Sequence, residues 1–336
     1  MALNNYGVLK GRAVDQRLGQ GESPHYQVHL VDAGTDYRIA INVKSQQSPS
    51  EIEYLVDETF QHPITTRLLD LPLGFTLLER KPNGLALDFI RGNLFDRRRM
   101  RPLPFSVPGP DNDLNEVINR CIQRVMADES ALIYAFGTRW GPEDLKDKIF
   151  GFKPGNGIHN IHMNQANSAQ FRGDDGVWQD GAMLIHFPAQ KQWVAVFLKF
   201  QSQGWHSDDV TGHRIGSDPT PPGPTPPPTE TQGLVRIVAA LVDPIGADAG
   251  KETVTLLNTA PRPVDLTGWA IANEAKQKYP LNGSLPPGEV KVITLPKTLS
   301  LGNQGGIITL LNREGLKVDG VAYTKAQTRE GWTMVF

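Results

Sequence analysis

A proline-rich segment two-thirds of the way along the chain divides it into two folding units. Seven of the 17 residues from Ser217 to Gly233 are proline, and none of them is a large apolar residue. Proline lacks a backbone N–H and holds φ at about −65°, so this segment can form neither a helix nor a central strand. We expect a solvated spacer of polyproline type that extends about 3.1 Å per residue. The sequence therefore predicts a Pro-rich linker at residues 217–233 between one domain at residues 1–216 and another at residues 234–336.

Charge is nearly balanced in both predicted domains. Residues 1–216 hold 23 Lys and Arg against 25 Asp and Glu, and residues 234–336 hold 11 against 9. Binding to nucleic acid or to an anionic membrane would therefore depend on a local patch rather than on net charge. No signal peptide and no window of about 18 apolar residues is recognisable in the sequence. With one cysteine, Cys121, a cytoplasmic protein without internal disulfides is the expectation.

Hydrophobic periodicity predicts strands mixed with a few helices in the first domain. Strands are expected at residues 6–14, 26–31, 37–43 and 131–136, and a hairpin is expected from residues 181–187 and 193–200. The Ser-Pro-Ser-Glu run that starts at Ser48 is typical of a helix start, which predicts a helix over residues 52–60. We therefore expect an α/β or α+β domain with a mixed sheet.

An aspartate, the single cysteine and a pair of histidines in this domain are explained by folding rather than by chemistry. Asp113 is expected to cap a helix whose apolar stripe buries Cys121, so Cys121 is interpreted as a core residue rather than a nucleophile. His25 and His29 lie four apart in a predicted strand and therefore share one face. Packing is the favoured interpretation for both histidines.

The candidate chemistry of the first domain lies among polar residues between positions 155 and 213. Walker, dinucleotide-binding, nucleophile-elbow and zinc-ligand motifs are all missing from the sequence, which disfavours the corresponding enzyme classes. Two histidines and several amides stand close together instead. We expect His159 and His162 to act as base or nucleophile, and Asn164 and Gln165 to orient phosphate or carbonyl oxygens. The two histidines share a face in a helix or turn, whereas a strand would point them to opposite faces.

Carboxylates and histidines further along are candidate metal ligands. We expect Asp175, Asp180, His206 and Asp208 to hold a divalent cation, Mg²⁺ or Ca²⁺. The oxygens of the three aspartates are the ligands that hard cations prefer. Asp-Gly pairs are also common in hairpin turns, and a histidine near an aspartate is also the orientation pair of a general base.

Two earlier stretches are candidates for substrate binding. Arg91 and Asn93 lie in one short polar run, and Arg98 and Arg99 belong to the densest cationic run of the chain. Arginine binds phosphate in a bidentate manner, so these four residues are expected to contact a phosphate or nucleic-acid ligand. A solvated surface is the alternative interpretation of the arginine run.

The second domain shows short strands at regular spacing, separated by Gly, Pro and Asn turns. Strands are expected at residues 235–242, 252–258, 269–272, 289–295, 306–311 and 317–323, a pattern typical of an antiparallel sandwich. Residues 252–258, 266–269, 285–288, 305–310 and 315–323 resemble the lamin-tail domain, which is an all-β immunoglobulin-like sandwich. The resemblance implies a non-catalytic interaction module, often joined to nucleases and other hydrolases in prokaryotes. Its ligand, a protein or a nucleic acid, stays open.

The first domain resembles the YukJ-like family, a prokaryotic family of unknown function. The resemblance rests on residues 6–11, 23–27, 42–45, 87–93, 108–113, 157–165 and 177–181. It implies no established activity and transfers no catalytic residue. One departure is Asn160, which stands where we expect an acid.

Three functional hypotheses remain open at this point. The first is a hydrolase acting on phosphodiester bonds, nucleic acid among them, with the second domain as a targeting module. The alternative is a non-catalytic binding protein in which the spacer raises the effective concentration between two engaged domains. The third hypothesis is a structural Ca²⁺ protein built on Asp174, Asp175 and Asp180. The oligomeric state is left open.

Overall fold

The structure, a computed structural model, describes residues 5–19, 25–43, 52–78, 85, 94, 99–103, 108–110, 112–159, 181–200, 234–275, 277–313, 315 and 317–336. The predicted Pro-rich linker at residues 217–233 lies outside these residues. The described parts before and after it each contain their own hydrophobic clusters. None of the helices in these ranges has the length and apolarity needed to cross a membrane.

The N-terminal domain contains ten strands and two helices within the described ranges. They are β1 (Tyr6–Leu18), β2 (His25–Val31), β3 (Asp36–Asn42), β4 (Ile52–Asp57), α1 (Ile64–Leu69), β5 (Gly74–Leu77), β6 (Arg101–Leu103), α2 (Leu114–Ala127), β7 (Leu132–Glu143), β8 (Gly155–His159), β9 (Gly181–Phe187) and β10 (Gln192–Phe200). The strands form one mixed sheet, so the predicted α/β or α+β domain with a mixed sheet is confirmed, and strands predominate in it. The strands predicted from hydrophobic alternation are all present.

The helix predicted over residues 52–60 is wrong, because this segment begins with strand β4. β4 pairs antiparallel with β10, in register from Ile52 opposite Phe200 to Asp57 opposite Ala195. Ile, Tyr and Val, three of the residue types in β4, favour strands, and β10 offers an edge on which β4 can pair. Long-range pairing therefore overrides the local helix-start signal, whose residues lie outside the described part of the chain.

Five of the strands close into a barrel. The first half of β1 pairs with β7, and its second half pairs with β2, with a register shift between Ala13 and Asp15 that bends the strand. β2 pairs with β3, β3 pairs in parallel with β8, and β8 returns antiparallel to β7. The order β1-β2-β3-β8-β7-β1, with α2 preceding β7, is the connectivity of the OB-fold, a Greek-key barrel.

The barrel core and α2 fit together as the sequence predicts. Asp113 accepts a hydrogen bond from the Glu116 N–H at 3.0 Å and so caps the helix. Cys121 is 2% exposed and packs in the barrel cluster. Burial raises the pKa of its thiol to about 11, so the thiolate needed for nucleophilic attack is scarce at neutral pH. The interpretation of Cys121 as a core residue is confirmed.

The remaining strands extend the sheet beyond the barrel. β9, β10, β4 and β6 follow β7 in that order, and β5 lies against the first half of β1. A second hydrophobic cluster covers this extension and includes Tyr134, Phe136 and Phe197, with Ile64 and Leu68 from α1. The extension therefore has a core distinct from the barrel interior.

The C-terminal domain consists of antiparallel strands within its described ranges. They are β11 (Val235–Leu241), β12 (Thr253–Asn258), β13 (Val264–Asp265), β14 (Ala270–Asn273), β15 (Lys278–Pro280), β16 (Ser284–Leu285), β17 (Val290–Thr294), β18 (Gly305–Leu311), β19 (Lys317–Thr324) and β20 (Met334–Val335). Two four-stranded sheets, β17-β12-β11-β20 and β15-β14-β18-β19, and the pair β13-β16 enclose one core that includes Trp269. The predicted immunoglobulin-like sandwich is confirmed.

Candidate ligand-binding face of the N-terminal barrel

The outer surface of β2, β3, β8 and the end of β7 gathers polar and aromatic side chains. Tyr26, Val28 and Leu30 are buried in the barrel core. Because side chains alternate along a strand, the intervening residues of β2 face outward. We call this surface the outer barrel face, and it comprises His25, Gln27, His29, Arg38, Trp140 and His159.

Strand register arranges these residues in two rows. In one row, His29 lies opposite Arg38, Arg38 opposite Gly157, and Gly157 opposite Trp140. In the next row, Gln27, Ala40, His159 and Thr138 are aligned in the same way. Residues that are distant in the sequence thus become neighbours through the barrel's cross-strand pairs.

Arg38 is the most highly constrained side chain of the face. Its Nε donates to Asp147 Oδ2 at 2.7 Å, and its second donor group reaches Gln27 Oε1 at 2.9 Å. The guanidinium also stacks over the Trp140 ring, 4.7 Å from the centroid. The side chains of Arg38 and Asp147 are only 8% and 1% exposed. They therefore form a buried, hydrogen-bonded ion pair.

Asp147 organises the loop between β7 and β8, which we call loop 144–154. Its Oδ1 accepts hydrogen bonds from the Ile149 and Phe150 N–H groups at 3.0 and 2.9 Å. Burial alone would raise the pKa of Asp147. The hydrogen bonds from Phe150, Arg38 and Ile149, with the Arg38 charge, outweigh burial and lower the pKa. The carboxylate is therefore ionised at neutral pH and holds the loop to β3.

The same loop covers the His29 end of the face. The rings of Phe150 and Phe152 lie nearly parallel to the His29 ring, at 5.1 and 5.0 Å between centroids. His29 Nε2 lies 2.8 Å from Asp36 Oδ1. From the rim, Arg17 donates to the Ile149 carbonyl at 2.7 Å. These contacts support the packing interpretation of His29.

Gly157 is required where Trp140 crosses β8. A Cβ atom at this position would overlap the Arg38 carbonyl oxygen and the Trp140 indole. The missing side chain allows the indole to lie directly on β8, where it supports the guanidinium on one side. Trp140 is therefore positioned by the backbone as well as by its neighbours.

The other end of the face carries two histidines beside the same tryptophan. The His159 ring lies 4.8 Å from Trp140 and 6.3 Å from the His25 ring, measured between centroids. All three side chains are partly exposed. This end of the face thus combines stacking surface with two groups able to exchange protons.

Of the residues predicted from the sequence to form a site, the structure describes His159 and Arg99. His159 ends β8 on the outer barrel face. Arg99 is exposed just before β6, four strands from β7 in the sheet order, so the two are not brought together. The other predicted site residues lie outside the described part of the chain and stay predictions: His162, Asn164, Gln165, Arg91, Asn93, Arg98, Asp175, Asp180, His206 and Asp208.

Several residues of the face and its neighbour Asp147 were not identified from the sequence. Arg38, Trp140 and Asp147 carry no motif, and only barrel closure brings them together. The alternation of β3 could have marked Arg38 as outward-facing, but nothing local indicates its partner. Within the described residues, no group of three His, Cys, Asp or Glu side chains is arranged to hold a metal ion.

Comparison with known proteins relates each domain to a family. Residues 1–212 match the family described as "Uncharacterized conserved protein (DUF2278)", and residues 228–325 match the lamin tail domain. The "Uncharacterized protein YukJ" of Bacillus subtilis (strain 168) is 47% identical over 213 residues, which cover 62% of this chain and 93% of that protein. The chain therefore belongs to this family of uncharacterized conserved proteins and carries a lamin tail domain after the family region.

Proposed function

We propose that the N-terminal domain binds single-stranded nucleic acid across the outer barrel face. The observation that carries the proposal is the strand order of the barrel together with the histidines and Trp140 on β2, β8 and β7. OB-folds bind oligonucleotides and oligosaccharides on the face of their second and third strands, flanked by the loops after the first and fourth. The place of the proposed site follows from analogy with other OB-folds, and its chemistry follows from the side chains on the face.

The side chains favour a nucleic acid over a sugar. Aromatic rings and imidazoles offer stacking surface to any base, which is the sequence-tolerant mode of single-strand binding. Carboxylates that would bind sugar hydroxyls are engaged, since Asp36 contacts His29 and Asp147 contacts Arg38. The alternative is that the face binds an oligosaccharide, and a saccharide competitor in the binding experiment distinguishes the two ligands.

Cations on the rim supply the local charge that the sequence as a whole lacks. Arg17, Lys146 and Lys148 are exposed beside the face, and Arg17 also pairs with Asp15 at 3.5 Å. About three phosphate contacts to a single strand correspond to a slope of about −2 for log K against log salt. The proposal therefore implies modest, salt-sensitive binding rather than the strong electrostatic attraction of a basic domain.

Phosphodiester hydrolysis is the second candidate, and the approach of His25 to His159 favours it. Two imidazoles at this spacing are able to divide the general-base and general-acid roles across one phosphate. His162, Asn164 and Gln165 follow His159 closely and remain proposed members of the site. Binding without cleavage is the alternative, with the lamin tail domain as a second interaction module joined through the Pro-rich linker.

The binding test uses the full chain and fluorescein-labelled single strands of about 16 nucleotides, the upper end of the site size of one OB-fold. Fluorescence anisotropy is measured for DNA, RNA, duplex and a neutral oligosaccharide competitor. His159→Ala is expected to weaken single-strand binding, by about 1–3 kcal/mol if one base stacks there. His186→Ala is the matched control, because His186 stacks on Trp193 in the sheet extension. Equal binding by both variants, or preference for the saccharide, would refute the proposal.

Cleavage is measured separately with a generic phosphodiester and plasmid DNA, with and without Mg²⁺ or Ca²⁺. Turnover that is lost in His25→Ala and in the His159→Ala/His162→Ala double variant, but kept in His186→Ala, supports hydrolysis. Binding without turnover assigns the face to recognition alone.

A further inference from the structure

The exposed apolar side chains of the C-terminal domain lie on one side of its sandwich. In the described part of this domain, the large apolar side chains that are more than half exposed are Val290, Val292, Val335, Trp332 and Ile245. The three valines belong to β17 and β20, the two edge strands of one sheet. Trp332 leads into β20 and Ile245 follows β11, so both adjoin the same sheet. Within the same ranges, the sheet β15-β14-β18-β19 exposes no side chain of this kind.

Strand register places two of these valines at opposite ends of one outward-facing row. Val335 lies opposite Ala239, Ala239 opposite Thr255, and Thr255 opposite Val292. The row contains no charged side chain, and Val290 extends it along β17. Contiguous exposed apolar patches mark interaction sites in soluble proteins. This surface is therefore a candidate for contact with another chain.

The backbone of β17 presents hydrogen-bonding groups on the side away from β12. Just past the strand, the Leu295 N–H donates to the Glu252 carbonyl, which precedes β12, at 2.9 Å. Hydrogen-bonding direction alternates along an antiparallel strand, so residues 291 and 293 also face β12. The N–H and C=O groups of Val290, Val292 and Thr294 therefore point to the opposite edge, where the described residues place no further strand.

This edge lacks the features by which natural sheets avoid pairing with another chain. Edges are commonly protected by proline, by charged side chains or by a bulge. β15, an edge of the opposite sheet, carries Lys278 and Pro280. β17 contains no proline, and its register with β12 is regular. Its one charged residue, Lys291, donates from Nζ to the Asn282 carbonyl of the same chain at 2.8 Å. The edge of β17 is therefore open to a further strand.

We propose that two copies of this chain associate through β17, which pairs antiparallel with β17 of the second copy. The two-fold axis passes through Val292, so Val292 faces its own counterpart and Val290 faces Thr294 of the second copy. All three residues direct N–H and C=O groups to this edge, so each facing pair can exchange both hydrogen bonds of an antiparallel ladder. The two four-stranded sheets become one continuous sheet, and the valines of both copies form one apolar patch. Such an interface is isologous, as in most two-fold dimers.

Two prolines restrict the register of this pairing. An axis at Val290 places Pro286 opposite Thr294 of the second copy. Axes one and two residues past Val292 place Pro296 opposite Val290 and Val292, respectively. Each of these positions needs an N–H that proline lacks. An axis at Val292, or one residue before it, keeps both prolines out of the paired positions.

Charge decides between these two registers. An axis at Lys291 sets two lysines directly opposite one another, which is destabilising in a sheet. With the axis at Val292, Lys291 faces Ile293 of the second copy, and no like charges face each other within the strand. β17 is therefore complementary to itself in one register, which favours a second copy of this chain as the occupant of the edge.

The short contact implies a weak dimer. The five residues of β17 form a small interface beside the roughly 1,600 Å² of a standard one. We therefore expect association that depends on protein concentration. Dimerisation would bring two N-terminal domains together and raise the effective concentration of their outer barrel faces. The dimer itself does not depend on the function proposed for those faces.

Sedimentation velocity of the full chain tests the proposal over a concentration series from about 1 μM to 1 mM, the range of weak complexes. The unaltered chain is expected to shift from monomer to dimer. Val292→Lys should raise the dimer Kd by about tenfold or more, because like charges then face each other across the axis. Val335→Lys is the matched control, since Val335 is 81% exposed at the other end of the same row. Thermal unfolding checks that both variants fold.

A mixing experiment tests the position of the two-fold axis. Val292→Glu should also weaken self-association, whereas an equimolar mixture of Val292→Lys and Val292→Glu should dimerise, because opposite charges then face each other. A monomer at every concentration, or an unaltered dimer in Val292→Lys, overturns the proposal. An equal loss in Val335→Lys would indicate packing of the sheet faces instead of the edges, and a mixture that stays monomeric would contradict an axis at Val292.

Discussion

Replacing Asp147 by alanine should destabilise the N-terminal domain strongly, because it leaves the Arg38 guanidinium buried without a counter-ion. Removing one partner of a buried pair typically costs about 3–5 kcal/mol. The lost acceptor for Ile149 and Phe150 N–H groups acts in the same direction, although these terms do not simply add. With total stabilities of about 5–15 kcal/mol for a domain, the variant should unfold at much lower denaturant.

The assay combines urea unfolding with hydrogen exchange of loop 144–154. Asp144→Ala is the matched control: Asp144 is fully exposed in the same loop, where it pairs with Lys153 at 3.2 Å. Exposed pairs of this kind contribute little, so the control should unfold like the unaltered chain. Faster exchange at the Ile149 and Phe150 amides is expected only in Asp147→Ala.

A double variant separates the cost of the unpaired charge from the value of the pair. Arg38→Met/Asp147→Leu removes both charges, and replacing a buried pair by apolar residues is often nearly neutral. It should therefore be more stable than Asp147→Ala. The reasoning is refuted if Asp147→Ala lowers the free energy of unfolding by less than about 1 kcal/mol, or if loop exchange does not change.

Three further predictions follow from the same structure. Gly157→Ala should destabilise the barrel by about 1–3 kcal/mol and weaken oligonucleotide binding. Gly34→Ala is the control, because no atom lies near its Cβ position, and it should change neither quantity. Urea unfolding measures the stability, and fluorescence anisotropy measures the binding. Cys121 should resist iodoacetamide in the folded chain at mildly alkaline pH and should react after unfolding, because burial raises the pKa of its thiol to about 11. Rapid labelling of the folded protein would contradict the position of Cys121 in the barrel core. The pKa of Asp147 is lowered in the folded protein. Its contribution to stability is therefore present above the unfolded pKa of about 3.8 and is lost as pH falls through the folded pKa. The free energy of unfolding of Asp147→Asn should therefore fall less on acidification than that of the unaltered chain.

Local sequence patterns determined much of the secondary structure. The amphipathic spacing after Asp113 indicates α2 and its buried Cys121, and alternation indicates β2 and β3 with their outward-facing residues. These signals succeed because they depend on which side of an element faces the core. The prediction of a helix fails at β4. The helix-start signal was the strongest local feature there, but pairing with the edge of β10 makes the segment a strand.

The candidate face shows the limit of reasoning from sequence most clearly. Arg38 and Asp147 are 109 residues apart, and His25 meets His159 only because β3 pairs in parallel with β8. Alternation indicates that such residues face outward, yet it contains no information on which strand lies beside which. The proline-rich division into two domains, the apolar faces and the single buried cysteine follow from the sequence by itself. The barrel and the ligand-binding face proposed here were decided by tertiary structure, because strand neighbours and register are set by long-range pairing as the sheet closes.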